Sequence, residues 1–284
     1  MKQHLLFWTL IILTLITTTG SLKAHAQDEQ AFLGNSRYID LSAGVGLSRL
    51  RDFATSPLFY EGIAHRYAVS LSRMSERRDI STGFAFLTSN LENDYNEHAA
   101  ESALKTLSVH HSRLYQIFGN GSERWNFKAG GELNGTANLR VNRSLMNSAV
   151  GIEAFPILFG TLKATRNITR QSSRRGKEPK TKSLSFKLNA SLIGASVRNG
   201  YSYLGIGQII NKSGFDGLLG DYQVKAFGVS SLATTLDYTI WLKNKNGWRF
   251  SYAWDAYKTS RDFADFEMAS HTFRVTLLFN TKNN

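Results

Sequence analysis

The chain has no cysteine, so it forms no disulfide and no cysteine-ligated metal centre, and no cysteine near its start can carry a lipid anchor. Its histidines include no His-x-x-x-His pair, which removes the usual zinc-helix spacing. Only three prolines occur, Pro57, Pro156 and Pro179. Acids are scarce relative to bases: 22 Asp and Glu against 34 Lys and Arg, a formal charge of +12. Beyond the first 26 residues no apolar run approaches the roughly 18 residues that a membrane helix needs. No repeat of short fixed period and no long low-complexity segment is present.

The chain begins MKQHLLFWTLIILTLITTTGSLKAHA. Lys2 provides the charged start, Leu5 to Ile16 is an apolar run too short to span a bilayer comfortably, and Ala24-His25-Ala26 is an A-x-A cleavage pattern. This predicts a cleaved signal peptide over residues 1–26, with Gln27 as the mature start. Losing Lys2 and Lys23 lowers the charge to +10. A basic balance suits nucleic acid, an anionic membrane surface or an acidic partner. Export argues against nucleic acid. No cofactor-binding signature is found; Gly205-Ile206-Gly207 is too little for a nucleotide fingerprint.

Period-two alternation dominates the remaining chain. From Arg124 to Arg140 one face carries Trp125, Phe127, Ala129, Leu133 and Leu139; the other carries Asn126, Lys128, Glu132, Asn134 and Asn138. The same two faces recur in ten segments, about 37–49, 63–74, 79–89, 104–118, 124–139, 148–165, 183–197, 226–243, 247–258 and 268–279. Gaps between them alternate. Leu50–Gly62, Asn90–Ala103 and Arg198–Lys225 are long, whereas Ser75–Arg78, Gly119–Glu123 and Asn244–Gly247 are turn-like, two of them with Asn-Gly. The stretch Asn167–Lys182 breaks that rule. The last segment places Phe273, Val275, Leu277 and Phe279 on one face.

A leader peptide, two-faced strands, gaps that alternate in length and an aromatic-ended last strand together resemble the bacterial outer-membrane β-barrel proteins. The likeness covers the mature chain and concerns architecture. In that superfamily the terminal strand is the assembly signal, which implies the barrel-assembly machinery and outer-membrane lipids as partners. Here Asn280–Asn284 follow Phe279, a departure from the pattern. The expected fold is all-β: a closed antiparallel up-and-down transmembrane β-barrel of about ten strands, eight and twelve being the neighbouring even counts. The expected layout is a signal peptide at 1–26, a periplasmic segment at 27–36, the barrel at 37–279 and a periplasmic tail at 280–284. A soluble barrel would carry the same alternation with its apolar face inward. Strand length, small residues such as Ala43 and Ala190 on the apolar faces, and the gap alternation favour lipid outside.

With the polar faces inward, Asp40, Arg66, Lys128, Glu132, Glu153, Lys187, Asp237, Arg249, Asp255 and Arg274 form a lumen charge network. A barrel this narrow is largely filled by its side chains, so pairing rather than conduction is expected. Arg166, Arg170, Arg174, Arg175, Lys177, Lys180 and Lys182 make a basic turn on the periplasmic side, suited to an acidic periplasmic or envelope partner or to anionic headgroups. The apolar loop Arg198–Lys225 should pack on something, a lid over the mouth first and a partner second. Asp94, Glu97 and His98 provide too little for a protease of the omptin kind, and His110, His111 and Ser112 provide too little for a deacylase. The functional expectation is a non-catalytic scaffold or interaction barrel of the cell envelope. A small-solute channel and a membrane-embedded lipid or peptide hydrolase are the rivals.

Overall fold

The computed structural model describes residues 36–93, 100–119, 125–142, 145, 150–169, 181–199, 222–259 and 265–281. The described residues form twelve strands: β1 Ser36–Asp52, β2 Ser56–Met74, β3 Arg78–Asn93, β4 Ala100–Phe118, β5 Trp125–Asn142, β6 Val150–Asn167, β7 Lys182–Gly194, β8 Ser196–Asn199, β9 Tyr222–Lys225, β10 Val229–Trp241, β11 Gly247–Thr259 and β12 Phe266–Asn280. Each of the ten predicted segments is a barrel strand. The short β8 continues the pairing of β7 with β6 and pairs on its other side with β9.

Neighbours in sequence pair antiparallel around the wall, and β12 returns to β1. The ring runs β5-β4-β3-β2-β1-β12-β11-β10-β7-β6, and the β5–β6 pairing closes it. The sheet is therefore a ten-stranded up-and-down barrel with no open edge in its wall. Closure is what a sheet in hydrocarbon requires, because every backbone N–H and C=O needs an internal partner there. The seam between first and last strands is long and in register from Tyr38↔Asn280 to Asp52↔Phe266. Strand β12 thus turns Phe273, Val275, Leu277 and Phe279 outward while its backbone completes the ring.

The alternation resolves as apolar outside. On β1, Ile39, Leu41, Ala43, Val45 and Leu47 face out, bounded by Arg37 below and Arg49 above. On β2, Ile63, Tyr67, Val69 and Leu71 lie between Glu61 and Arg73. An apolar stretch of about nine residues on a tilted strand matches the hydrocarbon thickness of a bilayer. Strands of 13 to 19 residues overhang that band. Above it Arg51 reaches Glu267 at 2.6 Å and stacks over Phe59 at 4.1 Å, and Lys258 reaches Glu267 at 2.7 Å. Below it Trp125 stacks on Phe127, with Arg166 over the indole at 5.3 Å. Aromatic and basic side chains thus rim the band at both ends, where their mixed apolar and polar character suits an interface.

Two expectations need correction. The gap Leu50–Gly62 is not a long loop. Alternation continues through Ser48, Leu50 and Asp52 inward and Arg49 and Arg51 outward, so β1 runs into a turn at Phe53–Thr55. Asp52 caps that turn, its carbonyl accepting from Thr55 N at 3.0 Å and its carboxylate from Ala54 N at 3.1 Å. Nor does every apolar side chain face out. Leu50, Tyr60, Leu91, Leu104, Phe155, Ile157, Phe159, Phe266 and Met268 point inward and pack together in the upper part of the barrel. A lumen too narrow for a water column can be filled by carbon as well as by ion pairs.

Candidate functional site

Among the described residues the lumen is the enclosed environment that the fold provides, and it is layered along its axis. At the upper mouth Arg140 of β5 binds both Asp52 of β1 and Glu153 of β6, the latter at 2.9 Å from Nη2 and 3.3 Å from Nε. Its Nη1 donates to Thr55 Oγ1 at 3.1 Å. Arg198 of β8 donates to the other oxygen of Asp52 at 2.7 Å and to Thr259 Oγ1 at 3.2 Å. All four charged side chains are buried. Both guanidiniums lie over the Phe266 ring, at 5.9 and 5.0 Å.

Beneath this network sits the inward apolar cluster. Phe155, Tyr257 and Phe266 form a triangle with centroid separations of 5.0, 5.5 and 5.9 Å. Asn138 Nδ2 on β5 donates to Tyr257 Oη on β11 at 2.8 Å. Those strands are four apart in the ring, so the contact crosses the lumen. Phe155 on β6 and Phe266 on β12 are likewise four apart. The bore is bridged here by side chains from opposite walls.

Below the apolar layer is a polar cavity of about 310 Å³. Glu132 accepts from Lys187 and from Asn189 Nδ2, the second at 3.1 Å. Asp237 accepts from Ser251 at 2.6 Å, and Asp255 from Ser270 at 2.8 Å. Asp79 accepts from Lys128 at 2.6 Å and from Lys163 at 2.8 Å. Asp40 accepts from Ser72 at 3.0 Å and has Arg249 at 3.8 Å. At the bottom Tyr38, Met74, Trp241 and Leu278 form a second apolar cluster, Tyr38 and Trp241 at 5.3 Å.

All ten side chains expected in the lumen lie on its inner face. The structure joins Glu132 to Lys187, and Asp40 to Arg249, directly. It leaves Arg66 and Arg274 without a hydrogen bond or ion pair among the described residues, each with a buried, unpartnered Nε. Sequence reasoning missed Asp52, Asp79, Arg140, Lys163 and Arg198. Arg140 continues the inward series Glu132, Asn134, Thr136, Asn138, and Asp52 continues Ser48 and Leu50, so the signal lay in prolonging the first strand by one residue and the second by three. Of the basic turn, Arg166 and Lys182 are described and sit at facing ends of β6 and β7; Arg170, Arg174, Arg175, Lys177 and Lys180 lie outside the described residues. So do Asp94, Glu97 and His98, and most of the Arg198–Lys225 loop.

Among the described residues His110, His111 and Ser112 do not form a catalytic triad. His110 faces the lumen with Nε2 at 3.3 Å from Ser81, and Ser112 shares its face without bonding to it. His111 faces outward and meets Thr82 at 2.7 Å. No carboxylate orients either ring through a hydrogen bond among the described residues. Nor are three His, Asp or Glu side chains placed there to share a metal ion.

Glu132 is the acceptor on which β5 and β7 converge. Glu132→Gln is expected to lower the melting temperature by breaking the ion pair and leaving Lys187 uncompensated, a loss of about 1–3 kcal/mol. Thermal unfolding in detergent, followed by tryptophan fluorescence, reads it.

No protein-family model matches the chain, and no curated protein matches its sequence. Among solved structures the outer membrane protease OmpT from Escherichia coli aligns over 90% of this chain and 99% of its own, with TM-score 0.52 and 8% identity. The transport unit of the autotransporter AIDA-I, also from Escherichia coli, aligns over 95% and 97% with TM-score 0.48 and 11% identity. At such identities the first likeness bears on the fold alone. The chain has the architecture of a bacterial outer-membrane β-barrel.

Proposed function

We propose that the protein resides in the bacterial outer membrane as a non-conducting, non-catalytic barrel, and acts as a scaffold through the surfaces at its two ends. The carrying observation is the stopper of side chains across the upper lumen. There the Asp52–Arg140–Glu153–Arg198 network lies on the Phe155–Tyr257–Phe266 triangle. A selective pore needs a continuous wet path lined by groups that bind weakly enough to release their solute. Here charges are spent on one another and carbon fills the bore between them. The end with both termini faces the periplasm in this reading, since short turns lie on that side in such barrels. The dense bases of residues 166–182 are then available to an acidic envelope partner.

Planar-bilayer recording tests the closed lumen. The native protein is expected to give no single-channel steps. Phe155→Ala with Phe266→Ala, which removes two rings of the stopper, is expected to introduce them. Steps from the native protein would favour the small-solute channel instead. Purification in mild detergent tests the scaffold: a stoichiometric envelope partner should remain bound, and should be lost when 172–180 is deleted. A barrel that emerges alone from gentle extraction counts against it.

A further inference from the structure

The cavity between the two apolar clusters is lined by five cationic side chains and five carboxylates, yet the charges do not pair off. Asp79 takes two lysines, Glu132 takes Lys187 and Asp40 takes Arg249. The remaining acids, Asp237 and Asp255, bond to serine hydroxyls. Arg66 and Arg274 are left over. Among the described residues no carboxylate comes within the 4.0 Å of an ion pair with either.

Their positions are specific. Arg66 on β2 and Arg274 on β12 are register partners of the same residue of β1, Gly44, from its two sides. Strands spaced about 4.8 Å apart put the two arginines about 10 Å apart at the backbone, a span that two guanidinium arms can close on one small ion. Gly44 leaves the floor between them bare. A Cβ there would lie 2.6 Å from Arg274 Cγ, so only glycine lets that side chain extend over β1 toward Arg66. Arg66 and Arg249 lie near Arg274, as do Asp237 and Asp255, but those two carboxylates bond to serine hydroxyls and make no ion pair with it. Two neighbouring cations of a narrow lumen repel, and their buried N–H groups lack acceptors.

A bridging oxyanion relieves both penalties. A guanidinium fork matches the two oxygens of a carboxylate or a phosphate, and two forks across a bare floor match one ion held between them. We propose that Arg66 and Arg274 form a binding site for a small oxyanion, phosphate or carboxylate, inside the lumen. The cavity of about 310 Å³ suits a free ion or a small metabolite bearing that group. The apolar clusters above and below would retain it. This site goes beyond the scaffold reading and stands whether or not that reading does.

The test begins with protein refolded from urea in detergent, so that the ion enters before the barrel closes. Inorganic phosphate and acetate are the probes, titrated separately at constant ionic strength. The expected result is a saturable rise in melting temperature with at least one probe, and the stronger probe identifies the oxyanion class. The rise should shrink at least twofold in Arg66→Gln and in Arg274→Gln, vanish in the double variant, and persist in Arg49→Gln, whose side chain lies outside the lumen. No saturable rise with either probe, or an equal rise in the double variant, overturns the proposal. Should the variants fail to fold, native crystals grown in selenate decide. An anomalous peak within hydrogen-bond reach of both guanidiniums upholds the site, and a lumen without one refutes it.

Discussion

Arg140→Met should cost about 3–5 kcal/mol of folding stability, the usual loss when one partner is taken from a buried ion cluster. The number is large because two carboxylates depend on that guanidinium. Glu153 takes two of its hydrogen bonds and Asp52 a third. Methionine preserves most of the volume and the contact with Phe266 while removing the charge, so packing and electrostatics separate. Asp52 would keep Arg198, but Glu153 would lose its ion pair with Arg140 in a layer sealed from bulk water. Arg198→Met should therefore cost less. Combining Arg140→Met with Glu153→Gln should restore part of the loss, because the second change removes the stranded charge. Urea unfolding in lipid vesicles, followed by tryptophan emission, measures all three. An Arg140 variant as stable as the native protein would show that the mouth network contributes little, and would weaken the argument that it caps the lumen.

Gly46→Val should abolish most of the folded barrel. Gly46 lies on the lumen face of β1 opposite Thr272 of β12, at the seam where the last strand meets the first. A Cβ there would overlap the His271 carbonyl and press on Thr272 Cα at 2.7 Å. The obstacle is backbone, which cannot rotate away as a side-chain tip can. The strands cross so closely here because a ten-stranded wall must curve sharply, and glycine is the residue that tolerates such a bend. Overpacking in an ordinary core costs about 1–3 kcal/mol, and a clash with the closing seam should exceed that. Gly135 is the control. It lies on the outer face of β5, and a Cβ would meet nothing within 4 Å. Gly135→Ala should be neutral, or stabilising by up to about 1 kcal/mol through reduced freedom of the unfolded chain. Heat-modifiable migration on gels separates folded from unfolded barrel for both. A fully folded Gly46→Val would mean that the seam can shift to accommodate it.

The candidate site was legible to different depths at different residues. Asp40, Glu132, Lys187 and Asp237 stand in clean alternating runs, so their inward direction followed from period two alone. Arg140 and Asp52 lie just beyond the alternating segments 124–139 and 37–49, so the mouth network is not legible from period two although Glu153 falls within 148–165. The stopper was unreadable for another reason. Phe155, Ile157 and Phe159 occupy the inward positions of β6, while Ile152, Leu158 and Leu162 face out, so both faces of that strand are apolar and alternation carries no sign. That Arg66 and Arg274 make no ion pair could not be read either, since a list of inward side chains says nothing about which of them meet.

The sequence by itself determined the class of fold, a count of about ten strands and the inward or outward direction of most side chains, because a strand alternates its faces with a period that needs no knowledge of its neighbours. Only the tertiary structure decided what happens along and across the axis: that Asp52 meets Arg140 from four strands away, that carbon closes the upper bore, and that two arginines flank one bare glycine. Those facts depend on closure, on register between strands and on the stagger of the ring. They arise from pairings between residues far apart in the chain, and no local pattern encodes them.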